Sequence, residues 1–285
     1  MSQAPPGLPP EGPPEGPADP RTRRVAAQLR RGDEVIDRRE LLAIEEPLEI
    51  RVRLAGEARE LRLAMTMRTP GDDRELAAGF LFTEGIVSRR EHITAVVVGS
   101  DHVRVELAAG LQLPEGAATR SFMMTSACGV CGRSSTEGLR AEPPGPLAAG
   151  PAIAAGVVAG LPAALLQAQA TFAATGGIHA AGLFTAGGEL RLLREDVGRH
   201  NAVDKVVGAL LLRGELPAED AVLLVSGRAS FELVQKALMA QIAVLAAVGA
   251  PSSLAVELAE EAGMSLLGFV REGRFTIYSG AERIT

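Results

Sequence analysis

The chain has 285 residues and a net charge of −6, which suits one large domain or two small ones. Aromatic residues make up 3 % of it, with no tryptophan and one tyrosine, which argues against a nucleic-acid binder that stacks bases on aromatic rings. The excess of acidic over basic residues also argues against a broad basic surface for a phosphate backbone.

Residues 1–24 are predicted to form a disordered tail, because their proline, glycine and charged residues cannot bury apolar surface. This segment does not have the apolar core of an export signal, and no segment offers the 18 apolar residues of a membrane span. The two cysteines are too close together to close a stabilising disulfide loop. We therefore expect a cytoplasmic protein with no membrane and no nucleic-acid partner.

Regular structure is expected to begin near Val35. Alternating apolar and polar residues predict strands, and Asp72 and Asp73 are typical of a helix N-terminus. The elements predicted before residue 110 are a hairpin of strands 48–54 and 61–65, a helix from about 70 to Gly85, and strands 93–98 and 103–107.

Residues 110–150 have almost no periodicity, and a loop this long inside a folded chain usually has a function or is disordered. We expect a mobile loop that carries both cysteines. A domain boundary is placed in its second half, so that residues 25–145 form an N-terminal domain and residues 146–285 a second one.

The second domain is predicted to alternate helices with strands, which implies a mostly parallel three-layer sheet with an antiparallel edge. Its predicted helices are 152–174 (which Pro162 breaks or kinks), 200–212, 231–248 and 253–262. Its predicted strands are 180–185, 190–194, 221–225, 265–270 and 274–279.

Cys128 and Cys131 are the sharpest chemical feature, since both are followed by glycine and Arg133 lies close enough to favour a thiolate. The pair is typical of a persulfide carrier or of a redox-active dithiol, and the residues alone favour the two equally. A zinc site shared between two chains is a third reading, because one pair cannot supply the four ligands of structural zinc.

Three polar segments, 175–179, 194–201 and 226–228, lie between apolar ones. We expect them at the sheet edge where α/β proteins bind ligands. In the alternative reading Asp196 and Asn201 are helix caps and His200 is a surface residue. The segment Phe269–Arg274 holds two arginines and a phenylalanine around a glycine turn, which suits phosphates and a purine but also an ordinary hairpin.

These motifs together resemble the formate dehydrogenase accessory sulfurtransferase family (FdhD). The Cys-x-x-Cys pair is a weak signal by itself, whereas its combination with Glu-Asp-Val-Gly-Arg-His-Asn is highly specific. The resembling stretches are 45–48, 67–71, 78–85, 126–132, 176–181, 194–205, 226–228 and 268–274.

The resemblance implies a sulfur carrier that takes persulfide sulfur from a cysteine desulfurase and transfers it to the molybdenum cofactor, a molybdopterin guanine dinucleotide. Formate dehydrogenase then receives the cofactor. Cys128 corresponds to the persulfide carrier and Cys131 to the second thiol. The cofactor-binding stretch falls on Phe269, Val270, Arg271, Glu272, Gly273 and Arg274, with Glu272 where a neutral residue is expected.

The resemblance also implies an α/β (α+β) protein, with a small mixed α+β N-terminal domain and a three-layer αβα, cytidine-deaminase-like C-terminal domain. The deaminase zinc signature is absent from the sequence, so no metal site is expected. Family members often act as dimers, which suggests a homodimer. Two alternatives stay open: a cofactor chaperone without sulfur transfer, and a dithiol oxidoreductase.

Overall fold

A computed structural model describes residues 19–111, 113, 122–124 and 143–285. The strands are β1 (Thr22–Arg31), β2 (Glu34–Ala43), β3 (Glu46–Leu54), β4 (Leu61–Arg68), β5 (Ile93–Val98), β6 (His102–Leu107), β7 (Phe122–Met124), β8 (His179–Thr185), β9 (Leu190–Asp196), β10 (Ala221–Val225), β11 (Val244–Ala247), β12 (Ser265–Arg271) and β13 (Arg274–Ser279). The helices are α1 (Asp73–Thr83), α2 (Ala155–Ala168), α3 (Ala170–Thr175), α4 (Arg199–Arg213), α5 (Phe231–Met239) and α6 (Ser253–Glu261).

The first two strands form a separate antiparallel ribbon, in which Thr22 pairs with Ala43. The prediction that order begins near Val35 is therefore wrong, and residues 22–24, assigned to the tail, open β1. Most side chains of this ribbon are exposed or only partly buried. Without a buried face the apolar alternation that reveals a strand is weak.

The N-terminal half contains a five-stranded sheet in the order β5-β6-β3-β4-β7. The predicted hairpin of β3 and β4 is confirmed, with Ile50 opposite Ala64 in an antiparallel pair. Leu48, Ile50 and Val52 alternate into the core, as their period of two predicts. α1 follows β4 directly and brings this sheet into contact with the second half of the chain.

A six-stranded sheet in the order β13-β12-β11-β10-β8-β9 dominates the second half. Only the pairs β10–β11 and β11–β12 are parallel, whereas the other three pairs are antiparallel. The prediction of a mostly parallel sheet is wrong because β8–β9 and β12–β13 are each joined by a short turn. Such turns connect antiparallel strands, since a parallel pair needs a long crossover.

Helices cover both faces of this sheet. Along β10, Leu223 belongs to the core that includes α4 and α5, while Val222 and Leu224 face the core that includes α2. The predicted α+β architecture and the three layers are confirmed. The two-domain boundary and the likeness to cytidine deaminases stay predictions.

Two predicted helices have different limits. The helix expected over 231–248 ends at Met239, and 244–247 form β11. Gln241 has φ 58°, which turns the chain out of the helix. In a short apolar run, periodicity alone does not separate a helix from a buried strand. The helix over 152–174 is interrupted at Gln169, whereas Pro162 lies inside α2.

α1 and α4 cross at a backbone contact made by two glycines. A Cβ built on Gly79 would lie 1.8 Å from the Asp204 carbonyl oxygen, and one on Gly208 would lie 1.8 Å from the Glu75 carbonyl oxygen. One continuous cluster of buried apolar side chains includes both helices and both large sheets. In the described part of the chain, no helix is long and apolar enough to cross a membrane.

Candidate functional site

The polar segments singled out from the sequence meet at one edge of the six-stranded sheet. The parallel strands β10, β11 and β12 all end there. β8 begins at the same edge, since Ala181 pairs with Val225, and β9 ends there, since Asp196 pairs with His179. The expectation that these segments share an edge is therefore confirmed.

Asp196 is fully buried at this edge and holds the surrounding loops together. Its carboxylate accepts hydrogen bonds from Gly198 N (2.8 Å), Asn201 Nδ2 (2.9 Å) and Thr69 N (3.2 Å), and Lys205 Nζ lies 2.8 Å away. Burial raises the pKa of this carboxyl above its usual value, although Lys205 acts in the opposite direction. All of these contacts give Asp196 a structural role. The reading of Asp196 and Asn201 as helix caps is wrong, because the N-cap of α4 is Gly198 and Asn201 lies inside the helix.

Asn201 and Lys205 join the two halves of the chain at the same point. Asn201 Nδ2 donates to the Met67 carbonyl oxygen at 2.8 Å, and Lys205 Nζ donates to the Thr69 carbonyl oxygen at 3.0 Å. These bonds satisfy the backbone at the end of β4. The Glu-Asp-Val-Gly-Arg-His-Asn segment therefore fixes the N-terminal sheet against the edge.

Glu195 and Arg194 are also engaged in structure. The Glu195 carboxylate accepts from Thr171 N (2.9 Å) and Phe172 N (2.8 Å), so it caps α3. Arg194 forms a two-pronged pair with Glu75 of α1, one bond of which measures 2.7 Å. The sequence does not reveal these partners, because they lie 23 to 119 positions away along the chain.

His200 is 4 % exposed, so the reading of it as a surface residue is wrong. Its Nε2 lies 3.2 Å from Ser230 Oγ and 3.7 Å from Glu232 Oε2. The close approach of His200 is the main cause that lowers the pKa of Glu232 to about 2. This group links the starts of α4 and α5.

His179, Arg199 and Gly227 form the open part of the edge. A Cβ on Gly227 would make ordinary van der Waals contacts, 3.4 Å from the His179 ring and 3.9 Å from Arg199 Cδ, so the three residues are close neighbours. Burial, and then the charge of Arg199, lower the pKa of His179. Arg199 Nε is buried and has no hydrogen-bond partner among the described residues.

A cavity of about 510 Å³ opens beside His179, between the end of α2 and the sheet edge. Apolar side chains form most of its wall, and the polar side chains lining it belong to Gln169, His179 and Ser226. Sequence reasoning missed Gln169, which the sequence does not distinguish from the nearby Gln167 in a mostly apolar helical stretch. The cavity has the mixed lining of a small-molecule site.

The predicted cofactor segment forms the end of β12, the turn and the start of β13. Phe269 has φ 52°, is 44 % exposed, and donates its N–H to the Gly249 carbonyl oxygen at 3.0 Å. A hollow of about 350 Å³ is lined by Phe269, Arg271, Arg274 and two neighbouring residues of β13. Val270 points into the core, and Glu272 and Gly273 are exposed in the turn. Cofactor binding by these six residues stays a prediction.

Cys128 and Cys131 lie outside the described residues. The last described residues before them form β7, where Met124 pairs with Thr66. Thr66 Oγ1 donates a hydrogen bond to Asn201 Oδ1 at the sheet edge described above. After them, the Gly145 carbonyl oxygen accepts from Gln241 Nε2 at 3.2 Å, at the opposite edge where β11 begins. No cluster of potential metal ligands is found among the residues that the structure describes.

Comparison with known proteins decides the family. The model of the FdhD/NarQ family matches residues 43–285. The chain belongs to the FdhD/NarQ family. The resemblance seen in the sequence motifs is thereby confirmed, and the match begins at the end of β2 and excludes the segment predicted to be a tail.

Named FdhD proteins are similar over most of their length. The chain is 52 % identical over 262 residues to the sulfur carrier protein FdhD of Mycolicibacterium paratuberculosis, covering 88 % of this chain and 94 % of that protein. It is 48 % identical over 274 residues to the sulfur carrier protein FdhD of Streptomyces coelicolor, covering 92 % and 95 %.

The fold matches a solved structure of this kind. A crystal structure from Desulfotalea psychrophila, described as a formate dehydrogenase accessory protein, aligns with a TM-score of 0.75 at 27 % identity. The alignment covers 93 % of this chain and all of that one. The sheet order described above is thus the architecture of an FdhD-type protein.

Proposed function

We propose that this FdhD-family protein is a cytoplasmic sulfurtransferase, which carries sulfur as a persulfide on Cys128. The donor is a cysteine desulfurase, and the acceptor is the molybdopterin guanine dinucleotide form of the molybdenum cofactor before it enters formate dehydrogenase. Relatives about 50 % identical are named sulfur carriers, which supports this role. The observation that favours a cofactor substrate is that the cavity and the arginine-lined hollow both lie at the edge where β10, β11 and β12 end.

Loading is a thiol exchange that needs no external oxidant. The Cys128 thiolate attacks the terminal sulfur of the desulfurase persulfide, forming a new S–S bond and releasing the desulfurase thiolate. In the second step the sulfane sulfur passes to the reduced metal of the cofactor, which supplies two electrons, and Cys128 leaves as a thiolate. Both steps therefore balance in atoms and electrons.

The two arginines of the 269–274 segment suit the phosphates of a dinucleotide. Arg271 and Arg274 line the same hollow as Phe269. Guanidinium groups bind phosphate oxygens through two parallel hydrogen bonds, and an exposed ring offers a face for stacking. Glu272 is exposed in the turn and does not line the hollow.

Sulfur loading is tested by incubating the full chain with a desulfurase and ³⁵S-cysteine, followed by mass spectrometry. We expect one additional sulfur on the peptide with Cys128, loss of this label in Cys128→Ala, and retention of it in the matched Cys131→Ala variant. Delivery is tested by whether each variant activates formate dehydrogenase. Normal activation by Cys128→Ala would refute the carrier role.

Two other readings predict different results. A cofactor chaperone without sulfur transfer binds the dinucleotide but acquires no label. A dithiol oxidoreductase needs both cysteines, so Cys131→Ala would abolish its turnover. Retention of label and of formate dehydrogenase activation in Cys131→Ala would exclude both.

A further inference from the structure

The outermost strand of the N-terminal sheet, β5, has a free edge. It pairs with β6 on one side, and no described strand pairs with it on the other. At the turn between the two strands, Gly99 N donates to the His102 carbonyl oxygen at 2.8 Å. At the other end of the pair, Ala108 N donates to the His92 carbonyl oxygen at 2.9 Å. Since bonded and non-bonded pairs alternate along an antiparallel ladder, the N–H and C=O groups of Val98 point away from β6 towards the free edge.

This edge is not protected in the ways that sheet proteins usually protect their edges. Native edge strands often carry charged residues or proline, because an open apolar edge pairs with other chains. Apart from one bulge near its start, β5 is regular; it has no charged residue and no proline, and Val97 and Val98 are 43 % and 45 % exposed. By contrast, β9 carries Arg191 and Arg194 at an edge of the other large sheet. An edge like that of β5 suits an extended peptide, which adds to it as a further strand.

A groove of about 410 Å³ adjoins the start of β5. Arg89, Arg90 and Glu91, which come directly before β5 in the chain, line it together with Glu219. Its larger apolar side chains are Phe82, Leu211, Leu216 and Met239. Because charges of both signs surround this apolar surface, the groove suits a protein segment with apolar and polar side chains better than a nucleotide or another polyanion.

The groove also borders the chain that follows the cysteines. Pro144, Gly145 and Pro146 line it, and the chain from Cys131 to Pro143 can span at most about 45 Å. A protein bound at the groove therefore lies within reach of the cysteine segment. In the proposed function the sulfur donor is a protein that must meet Cys128, whereas the acceptor is a cofactor whose proposed hollow lies at the edge where β10, β11 and β12 end.

We propose that an extended segment of the cysteine desulfurase adds to the free edge of β5 as a sixth strand, beside the groove. The inference rests on the proposed function, which supplies the desulfurase as the donor. Backbone hydrogen bonds to Val98 hold the segment, and the groove receives its apolar side chains. The bound donor then presents its persulfide near the cysteine segment.

The experiment measures the rate of Cys128 labelling by the full chain as a function of desulfurase concentration. Val98→Pro removes the outward N–H and leaves the bonds to β6 in place, whereas Val98→Thr keeps both the N–H and the branched shape. We expect Val98→Pro to raise the desulfurase concentration at half-maximal rate about tenfold, with the maximal rate unchanged. Val98→Thr should behave like the wild-type protein.

Val35→Pro is the matched control. Val35 is 53 % exposed and lies one pair inside the turn of the β1–β2 ribbon, as Val98 lies one pair inside the turn between β5 and β6. It should leave labelling unchanged. If Val98→Pro lowers the unfolding free energy, Val97→Lys takes its place, since it adds a charge to the edge and leaves the backbone unchanged, and it should raise the half-saturating concentration in the same way.

Amide hydrogen exchange of the wild-type protein supplies a second readout, which a merely structural role of Val98 would not affect. Saturating desulfurase should slow exchange within residues 93–98. Exchange that stays the same, a half-saturating concentration that neither edge variant changes, or an equal effect of Val35→Pro would overturn the proposal. A wild-type dimer that Val98→Pro converts to a monomer in sedimentation would assign the edge to a second copy of this chain and would overturn it as well.

The same measurements separate this inference from the proposed function. If desulfurase slows exchange in β5 but Cys128 acquires no label, the docking edge stands and the carrier role is refuted. If Cys128 is labelled and the edge variants change nothing, the docking edge is refuted and the carrier role stands.

Discussion

Lys236 of α5 and Asp204 of α4 form a buried ion pair, with Lys236 Nζ 2.7 Å and 2.9 Å from the two carboxylate oxygens. Thr83 of α1 completes the group, since its hydroxyl donates to Asp204 at 2.8 Å and accepts from Lys236 at 2.9 Å. Three helices from the two halves of the chain are thus joined by one polar contact inside an apolar core.

Removing one partner of this pair leaves the other charge buried. We expect Lys236→Met to lower the unfolding free energy by about 3–5 kcal/mol in urea titrations, and the double variant Lys236→Met, Asp204→Leu to recover a large part of it. The matched control is Arg191→Met in the exposed Arg191–Asp220 pair, with an expected cost of about 1 kcal/mol or less. Equal losses of unfolding free energy in Lys236→Met and Arg191→Met would contradict the expectation that the buried pair matters more than the exposed one.

The crossing of α1 and α4 requires glycine. Gly79→Ala and Gly208→Ala each place a methyl group against fixed backbone, so we expect a loss of about 2 kcal/mol or more by thermal or urea unfolding. Gly156→Ala in α2 is the control, because nothing lies within 4 Å of its Cβ position and alanine stabilises a helix by about 0.5–1 kcal/mol. A stable Gly79→Ala variant would mean that the helices do not pack this closely.

The arginines of the 269–274 segment should contribute to nucleotide binding through charge. We expect the double variant Arg271→Gln, Arg274→Gln to weaken both GDP and pyrophosphate about tenfold to a hundredfold, since hydrogen bonds to charged groups are worth about 1.5–3 kcal/mol. The remaining affinity should depend less on salt. Arg191→Gln, which changes an exposed arginine away from the hollow, is the control, and unchanged pyrophosphate binding by the double variant would exclude a phosphate site here.

Glu232 should make the stability of the protein depend on acid pH. Its pKa falls from 4.5 to about 2 on folding, so the charged form stabilises the folded state. The contribution is complete above about pH 4.5, is lost as the pH falls towards 2, and amounts to at most about 3 kcal/mol. Urea titrations of the wild-type protein and Glu232→Gln from pH 7 to 2.5 measure this contribution. The difference between their unfolding free energies should shrink as the pH falls.

His200 is the main cause of this pKa shift. In a His200→Gln background, Glu232→Gln should therefore change the unfolding free energy by an amount that depends less on pH. A difference that stays constant from pH 7 to 2.5 in the wild-type background would contradict the role of the pair.

Local pattern was enough to predict much of this protein. Alternation revealed β3 and β4, and the apolar run of β10 between polar turns revealed a buried strand, because these signals depend on residues close in sequence. The Cys-x-x-Cys pair together with the motif around Asp196 identified the family. The meeting of several motifs at one sheet edge also followed from strand order.

Only the tertiary structure showed which polar side chains at that edge already have hydrogen-bond partners and which could bind a ligand. Asp196, Glu195 and Asn201 look like site residues in the sequence, yet their partners come from segments distant along the chain. Gln169 looks ordinary, yet packing leaves its amide nitrogen buried and without a hydrogen-bond partner in the described part of the chain. Residue type decides which hydrogen bonds a side chain can make. Long-range packing decides which of them are made, so an unused donor or acceptor can be identified only in the folded chain.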